Sequence, residues 1–230
     1  MKIWHRLLDL VYPPVCGLCS QEAKGGLCAS CDQKIGWYEG VGCLSCGAGP
    51  HEGVCPACSG KGMGFRSAVA LGAYSGLLRR IVLSVKLRGE PLLIPSLSER
   101  LAERVRSARV RVDLVTFVPT SPFRAFYLRY PSVTEVFADS LGRTLKKPVR
   151  RSLRKTRRTV PQTDLRGDAR RENLKGAFRA SRMVEDRSIL LVDDVLTTGA
   201  TAQACARALY RARAREVHVA VLARRIRIQK

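Results

Sequence analysis

The chain is poor in aromatic and acidic side chains and contains no long apolar run. Aromatic residues fill 6% of its 230 positions, and 19 Asp and Glu stand against 41 Lys and Arg. With so few rings, any surface that stacks successive nucleic-acid bases has little to draw on; Tyr127 and Tyr130 are the nearest candidates. No stretch approaches the ~18 consecutive apolar residues that a membrane-spanning helix needs. The first fourteen positions have a short apolar pattern interrupted by His5, Arg6 and Asp9, with no small-residue cleavage site. They read as a short amphipathic helix rather than a secretory leader, so the expected location is cytoplasmic. Hydrophobic content of 46% is ample for a packed core, enough for one α/β domain and a small appendage.

Charge is unevenly distributed. Residues 1–65 hold five basic and five acidic residues, so the net charge of +22 belongs to residues 66–230. Within residues 143–182, fifteen basic residues face three acidic ones. Such a density points to an acidic partner, nucleic acid or pyrophosphate.

Eight of nine cysteines form four Cys-x-x-Cys pairs: Cys16 with Cys19, Cys28 with Cys31, Cys43 with Cys46, and Cys55 with Cys58. Each pair presents two thiolates on one side of a tight knuckle, and two knuckles complete a tetrahedral four-cysteine zinc site. The block repeats with a period of 27 residues, predicting two structural Zn²⁺ ions. The repeat favours sequential pairing of knuckles, and the spacing also admits a crossed arrangement. So few large apolar side chains bury little core, so metal must supply the folding energy of this region. Disulfides need an oxidising compartment, and no thioredoxin-like unit surrounds the pairs. His51 reads as a loop residue, and Cys205 as a small buried one.

Residues 189–201 carry the most specific chemistry. The apolar run Ile189-Leu190-Leu191-Val192 ends in Asp193-Asp194, followed by Val195, Leu196, Thr197, Thr198, Gly199, Ala200 and Thr201, and then a helix-forming run. A continuous apolar run reads as a buried parallel strand. Where such a strand feeds a helix N-terminus, open α/β sheets bind ligands. Gly199 permits a tight turn that lets amides and hydroxyls of Thr197 to Thr201 converge on one phosphate. The carboxylates of Asp193 and Asp194 suit a vicinal diol and a nearby Mg²⁺. A 5-phosphate beside a ribose diol describes phosphoribosyl pyrophosphate, PRPP, and the segment resembles the PRPP signature of type I phosphoribosyltransferases.

Around this motif, strands are expected at 67–74, 112–118, 148–153, 177–180, 188–193 and 217–223. Helices are expected at 77–87, 95–108, 133–145 and 201–213, and 154–173 reads as a loop. Alternating strands and helices predict a parallel sheet flanked by helices, preceded by a four-cysteine zinc-ribbon module. The glycine-rich stretch 60–64 divides the chain into a zinc module at 1–62 and an α/β domain at 65–230.

Three features together resemble the ComF family of phosphoribosyltransferase-like competence proteins. These are the paired knuckles after Tyr12-Pro13-Pro14, the stretch from Arg154 through Pro161-Gln162 to Asn173-Leu174-Lys175-Gly176-Ala177-Phe178, and the PRPP signature closed by Thr201. The resemblance implies a type I phosphoribosyltransferase fold, binding of PRPP with Mg²⁺ and of single-stranded DNA during transformation, and partners such as the ComFA helicase and DprA. It implies ribose contacts by Asp193 and Asp194, the residues that would be catalytic in a turning-over enzyme. Lys86, Arg124 and Arg129 are the pyrophosphate candidates, and Arg154, Lys155, Arg157 and Arg158 the nucleic-acid candidates. One segment departs from the family: Val118-Pro119 is followed by Arg124 and Arg129-Tyr130-Pro131 instead of Arg-Gly-Phe-Asn-Gln. That departure favours binding over turnover. The alternatives are an active pentosyltransferase acting on a small base or amine, and a non-catalytic PRPP sensor.

Overall fold

A computed structural model describes residues 14–23, 26–88, 91–119, 132–156 and 174–226. Four parallel strands form the central sheet, in the order β1 (Ser67–Ala73), β6 (Glu216–Arg224), β5 (Ser188–Leu196) and β2 (Leu114–Phe117). The middle strands are apolar along most of their length because both faces are covered; Ile189 to Val192 are fully buried. On one face lie α2 (Gly76–Arg88), α3 (Ile94–Ser107) and α4 (Val133–Leu145), whose apolar residues join one core cluster. In α3 the buried positions are Ile94, Leu97, Ser98, Leu101, Ala102 and Val105, a helical stripe facing the sheet. The other face is covered by α5 (Ala200–Arg211), whose alanines and Cys205 let it sit close to the strands. A separate antiparallel pair, β3 (Leu153–Lys155) and β4 (Phe178–Ala180), flanks α5.

The predicted class holds, with local corrections. Helix α4 spans its expected limits, because Ser132 caps it by accepting from the Glu135 amide and Lys146 ends it in a left-handed conformation. The strand expected at 148–153 is not formed: Val149 makes one parallel bridge to Val115, and the strand begins at Leu153. Arg154 and Lys155 therefore belong to a strand rather than to a loop, while 157–173 lies outside the described residues. Strand β5 continues three residues past Asp193, carried by pairing of Val195 and Leu196 with Ala223 and Arg224.

The cysteine region straddles the β1 edge of the sheet. Its first half, with the short helix α1 (Ala29–Gln33), packs Leu18 and Leu27 on the α2–α4 side, against Leu93. Its second half packs Cys46, Ala48 and Cys55 on the α5 side. The crossing between them is Trp37-Tyr38, which pairs along β1: the Tyr38 amide donates to Leu71 O (2.8 Å), and the Ala68 amide donates to Leu44 O (2.7 Å). This covers an edge that would otherwise offer unpaired backbone groups to another chain. Arg100 of α3 anchors the crossing, bonded to Asp32 and stacked 4.6 Å from the Trp37 ring.

Candidate functional site

All four knuckles fold alike. The amide of Ser20, Asp32, Gly47 or Ser59 donates to the carbonyl of Cys16, Cys28, Cys43 or Cys55, at 2.7–2.9 Å. Pairing is sequential: Cys16, Cys19, Cys28 and Cys31 converge in one group, and Cys43, Cys46, Cys55 and Cys58 in the other. The Sγ atoms of Cys19 and Cys28 lie 3.6 Å apart, and those of Cys43 and Cys58, and of Cys46 and Cys55, lie 3.7 Å apart. A tetrahedron with Zn–S of about 2.3 Å has edges of about 3.8 Å, whereas a disulfide is about 2 Å, so the spacing fits zinc. The thiols also resist joint ionisation without a cation. The Cys19 side chain, then burial, pushes Cys31 up to about 12, and burial with the Cys55 and Cys43 neighbours raises Cys46. Burial opposes ionisation of Cys16, but the amides of Cys28, Leu18 and Cys19 outweigh it and hold that thiol at about 6. His51 turns to Gly49 O instead (3.1 Å), and Cys205 is buried on α5.

The second centre lies at the C-terminal end of β5. Asp193 Oδ1 accepts from the Asp194 amide (2.9 Å), and Asp194 Oδ1 accepts from the Val195 amide (2.7 Å). Lys86, in the last turn of α2, donates to Asp194 Oδ2. The Asp194 side chain is mostly buried and that of Lys86 is accessible, so the pair stands at the mouth of the crevice. Burial, and next the Asp194 carboxylate, raise Asp193 well above the usual carboxylate range. The turn 197–199 then reverses the chain: Gly199 sits at φ +78°, and α5 starts at Ala200, whose amide donates to Thr198 Oγ1 (3.4 Å). The N-terminus of α5 thus stands at the end of β5, where the first-turn amides of a helix favour an anion.

Of the residues expected here, Asp193, Asp194, Lys86 and Thr197 to Thr201 come together. Val195 and Leu196 are strand residues; the Leu196 side chain is buried in the core. Arg124 and Arg129 lie outside the described residues, as do Arg157 and Arg158. Arg154 stands on β3 directly opposite Arg179 on β4, both exposed. Sequence reasoning missed Arg224, a buried cation at the end of β6 whose Nη1 donates to the carbonyls of Leu196 (2.8 Å) and Thr197. Its one sequence signal is its place directly after the largely apolar run 217–223.

Two family models match the chain. A double zinc ribbon domain matches residues 7–61, and a phosphoribosyl transferase domain matches residues 135–230. The chain thus joins a double zinc ribbon to a phosphoribosyltransferase-type α/β domain, the combination on which the ComF resemblance rests. It is 29% identical to the DNA utilization protein YhgH of Escherichia coli (strain K12) over 94% of this chain and 99% of that protein. It is 26% identical to Competence protein F of Haemophilus influenzae over 88% of this chain and 92% of that protein. A solved structure described as the allosteric regulatory enzyme of purine biosynthesis is 24% identical over 57% of this chain and 26% of that longer chain, with a TM-score of 0.40. Among the described residues no helix is long and apolar enough to cross a membrane.

Proposed function

We propose that this chain is a cytoplasmic, PRPP-binding, phosphoribosyltransferase-like protein that handles single-stranded DNA during uptake and transformation. The observation that carries the PRPP reading is the β5 end: a positive-φ glycine between a strand closing in two carboxylates and a helix N-terminus. In this reading the 197–201 turn grips the 5-phosphate, and Asp193 and Asp194 accept from the ribose hydroxyls. The two carboxylates would hold Mg²⁺, which supplies charge neutralisation for the pyrophosphate. Lys86 is assigned to the pyrophosphate itself, and Arg124 and Arg129, outside the described residues, are the further candidates for it. Each residue binds or orients; the departure after Val118-Pro119 supports binding without efficient turnover.

The nucleic-acid reading rests on charge and on one structural relationship. Like charges directly opposite on paired strands destabilise a sheet, and Arg154 and Arg179 occupy that relation on an exposed face. Arg150, Arg151 and Arg182 are exposed in the neighbouring segments. A polyanion laid across the face relieves the repulsion. The names of the two relatives, one for DNA utilization and one for competence, support the biological setting, in which the ComFA helicase and DprA are the expected partners. PRPP consumption measured with and without DNA, across a panel of bases, tests the reading. The expected result is saturable binding of PRPP and DNA with the PRPP left intact; base-dependent pyrophosphate release would instead establish a pentosyltransferase.

A further inference from the structure

The turn assigned above to the phosphate is held by two side chains that its motif does not contain. Arg224 is 4% exposed, and its Nη1 donates to three carbonyls: Leu196 (2.8 Å), Thr197 and Arg225 (2.7 Å). Its Nε is buried without a partner, and no described carboxylate pairs with the guanidinium. An uncompensated buried cation is costly unless something offsets it. A phosphate on the turn whose first carbonyl Arg224 holds is a natural offset. From the other side, Met63 lies so close to Gly199 that a β-carbon there would meet its Cε at 2.3 Å.

Met63 leads directly to the second zinc ribbon. Met63 follows Cys58 closely and shares a core cluster with Cys46, Cys55, Leu196 and Ala200. Tyr38 packs on the same cluster, over Gly49, and the charge of Arg224 reaches its phenol. Among the described residues the first ribbon has no such link; its contacts run to Leu92 and Leu93 on the opposite face.

We propose, building on the assignment of 197–201 as the phosphate site, that Arg224 and Met63 are positioning residues for that turn and that through Met63 the second zinc ribbon braces it. Arg224 pins the carbonyls at the base of the turn. Met63 packs against Gly199, holding the one residue whose left-handed conformation closes the turn. Loss of metal from the second ribbon releases Met63 and Tyr38 together, so zinc occupancy and phosphate affinity are linked. The residues fit zinc by the sulfur spacing given above.

The test is amide hydrogen exchange of the full-length zinc-loaded protein without ligand, alongside PRPP titration. Arg224→Gln and Met63→Ala should each speed exchange at the two amides bonded to the turn, Gln203 (to Gly199 O, 2.8 Å) and Arg225 (to Leu196 O, 2.9 Å), while the amides of β6 from Val217 to Val221 keep wild-type protection. Loss of a hydrogen-bonded charge corresponds to a roughly 10- to 100-fold change for Arg224→Gln. Arg224→Lys should restore most of the protection, since an ammonium can still reach the carbonyls. PRPP affinity should follow the same order. Selective release of zinc from the second ribbon should reproduce the Met63→Ala pattern. Unchanged exchange at Gln203 and Arg225 in both variants would overturn the proposal. Faster exchange in the variants, with a wild-type protein that binds no PRPP, would uphold the brace and refute the phosphate assignment instead.

Discussion

Lys86 and Asp194, 108 positions apart in sequence, meet at the mouth of the crevice, the ammonium on the carboxylate. The contact ties the end of α2 to the end of β5 and places an accessible cation beside the carboxylates read as ribose ligands. Lys86→Met should therefore weaken PRPP binding about tenfold, the scale of one charge-assisted hydrogen bond, with Lys86→Arg retaining most of it. Calorimetric titration at fixed Mg²⁺ measures the difference; equal affinity in Lys86→Met would remove this residue from the site.

Asp193 should cost the protein stability at neutral pH. Its folded pKa is raised, chiefly by burial and then by Asp194. Below the unfolded value of about 3.9 it is protonated in both states and contributes nothing. As pH climbs above that value, the unfolded chain releases the proton while the folded chain keeps it, so stability falls until the folded pKa is passed. Asp193→Asn retains an oxygen for the Asp194 amide and cannot ionise. Its Tm advantage over wild type should grow between pH 4 and pH 7, read by scanning calorimetry. A flat or shrinking difference would contradict the assigned burial effect.

Purified protein should carry two zinc ions per chain, because eight thiolates converge in two closed groups. Each structural zinc contributes on the order of 10 kcal/mol of apparent binding free energy at neutral pH. Chelation should accordingly unfold the ribbons before the sheet. Metal analysis of protein prepared without added zinc, combined with thiol reactivity, checks this; fewer than one zinc per chain with rapidly reacting thiols would refute it.

Binding of single-stranded DNA should be mainly electrostatic. Replacing Arg154, Lys155, Arg157 and Arg158 by Ala removes up to four phosphate contacts. At ~0.7 per contact, the slope of log affinity against log salt should become shallower by up to about three units. Arg179→Ala alone should weaken binding by relieving the opposed pair that favours an anion. Fluorescence anisotropy over a salt series decides; an unchanged slope in the quadruple variant would make this stretch a solvated face.

How far the sequence reveals these features depends on how local their causes are. Helix α4 is legible to the residue because Ser132 and Lys146 mark its ends by local bonding. The knuckles are legible because each is a short turn with its own ligands, although only the fold separates sequential from crossed pairing. Pairing across distance is what escaped. The register with β6 extends β5 past Asp193, and nothing in 148–153 announces that Leu153 will meet Ala180. Arg224 reads as the charged end of a strand, yet the approach of Leu196 and Thr197 buries it. The glycine-rich stretch 60–64 reads as a linker, and Met63 within it packs on Gly199.

The central claim is that the end of β5 binds PRPP, and thermal unfolding with PRPP and Mg²⁺ tests it most directly. A ligand bound only to the folded state stabilises by about 2.7 kcal/mol at a hundredfold excess over its dissociation constant. The account predicts a concentration-dependent rise in Tm for the wild-type protein. The rise should vanish in Asp194→Asn and Thr198→Val, with both variants folded and zinc-loaded. A wild-type Tm unmoved by PRPP, or a full shift that survives both substitutions, would contradict it.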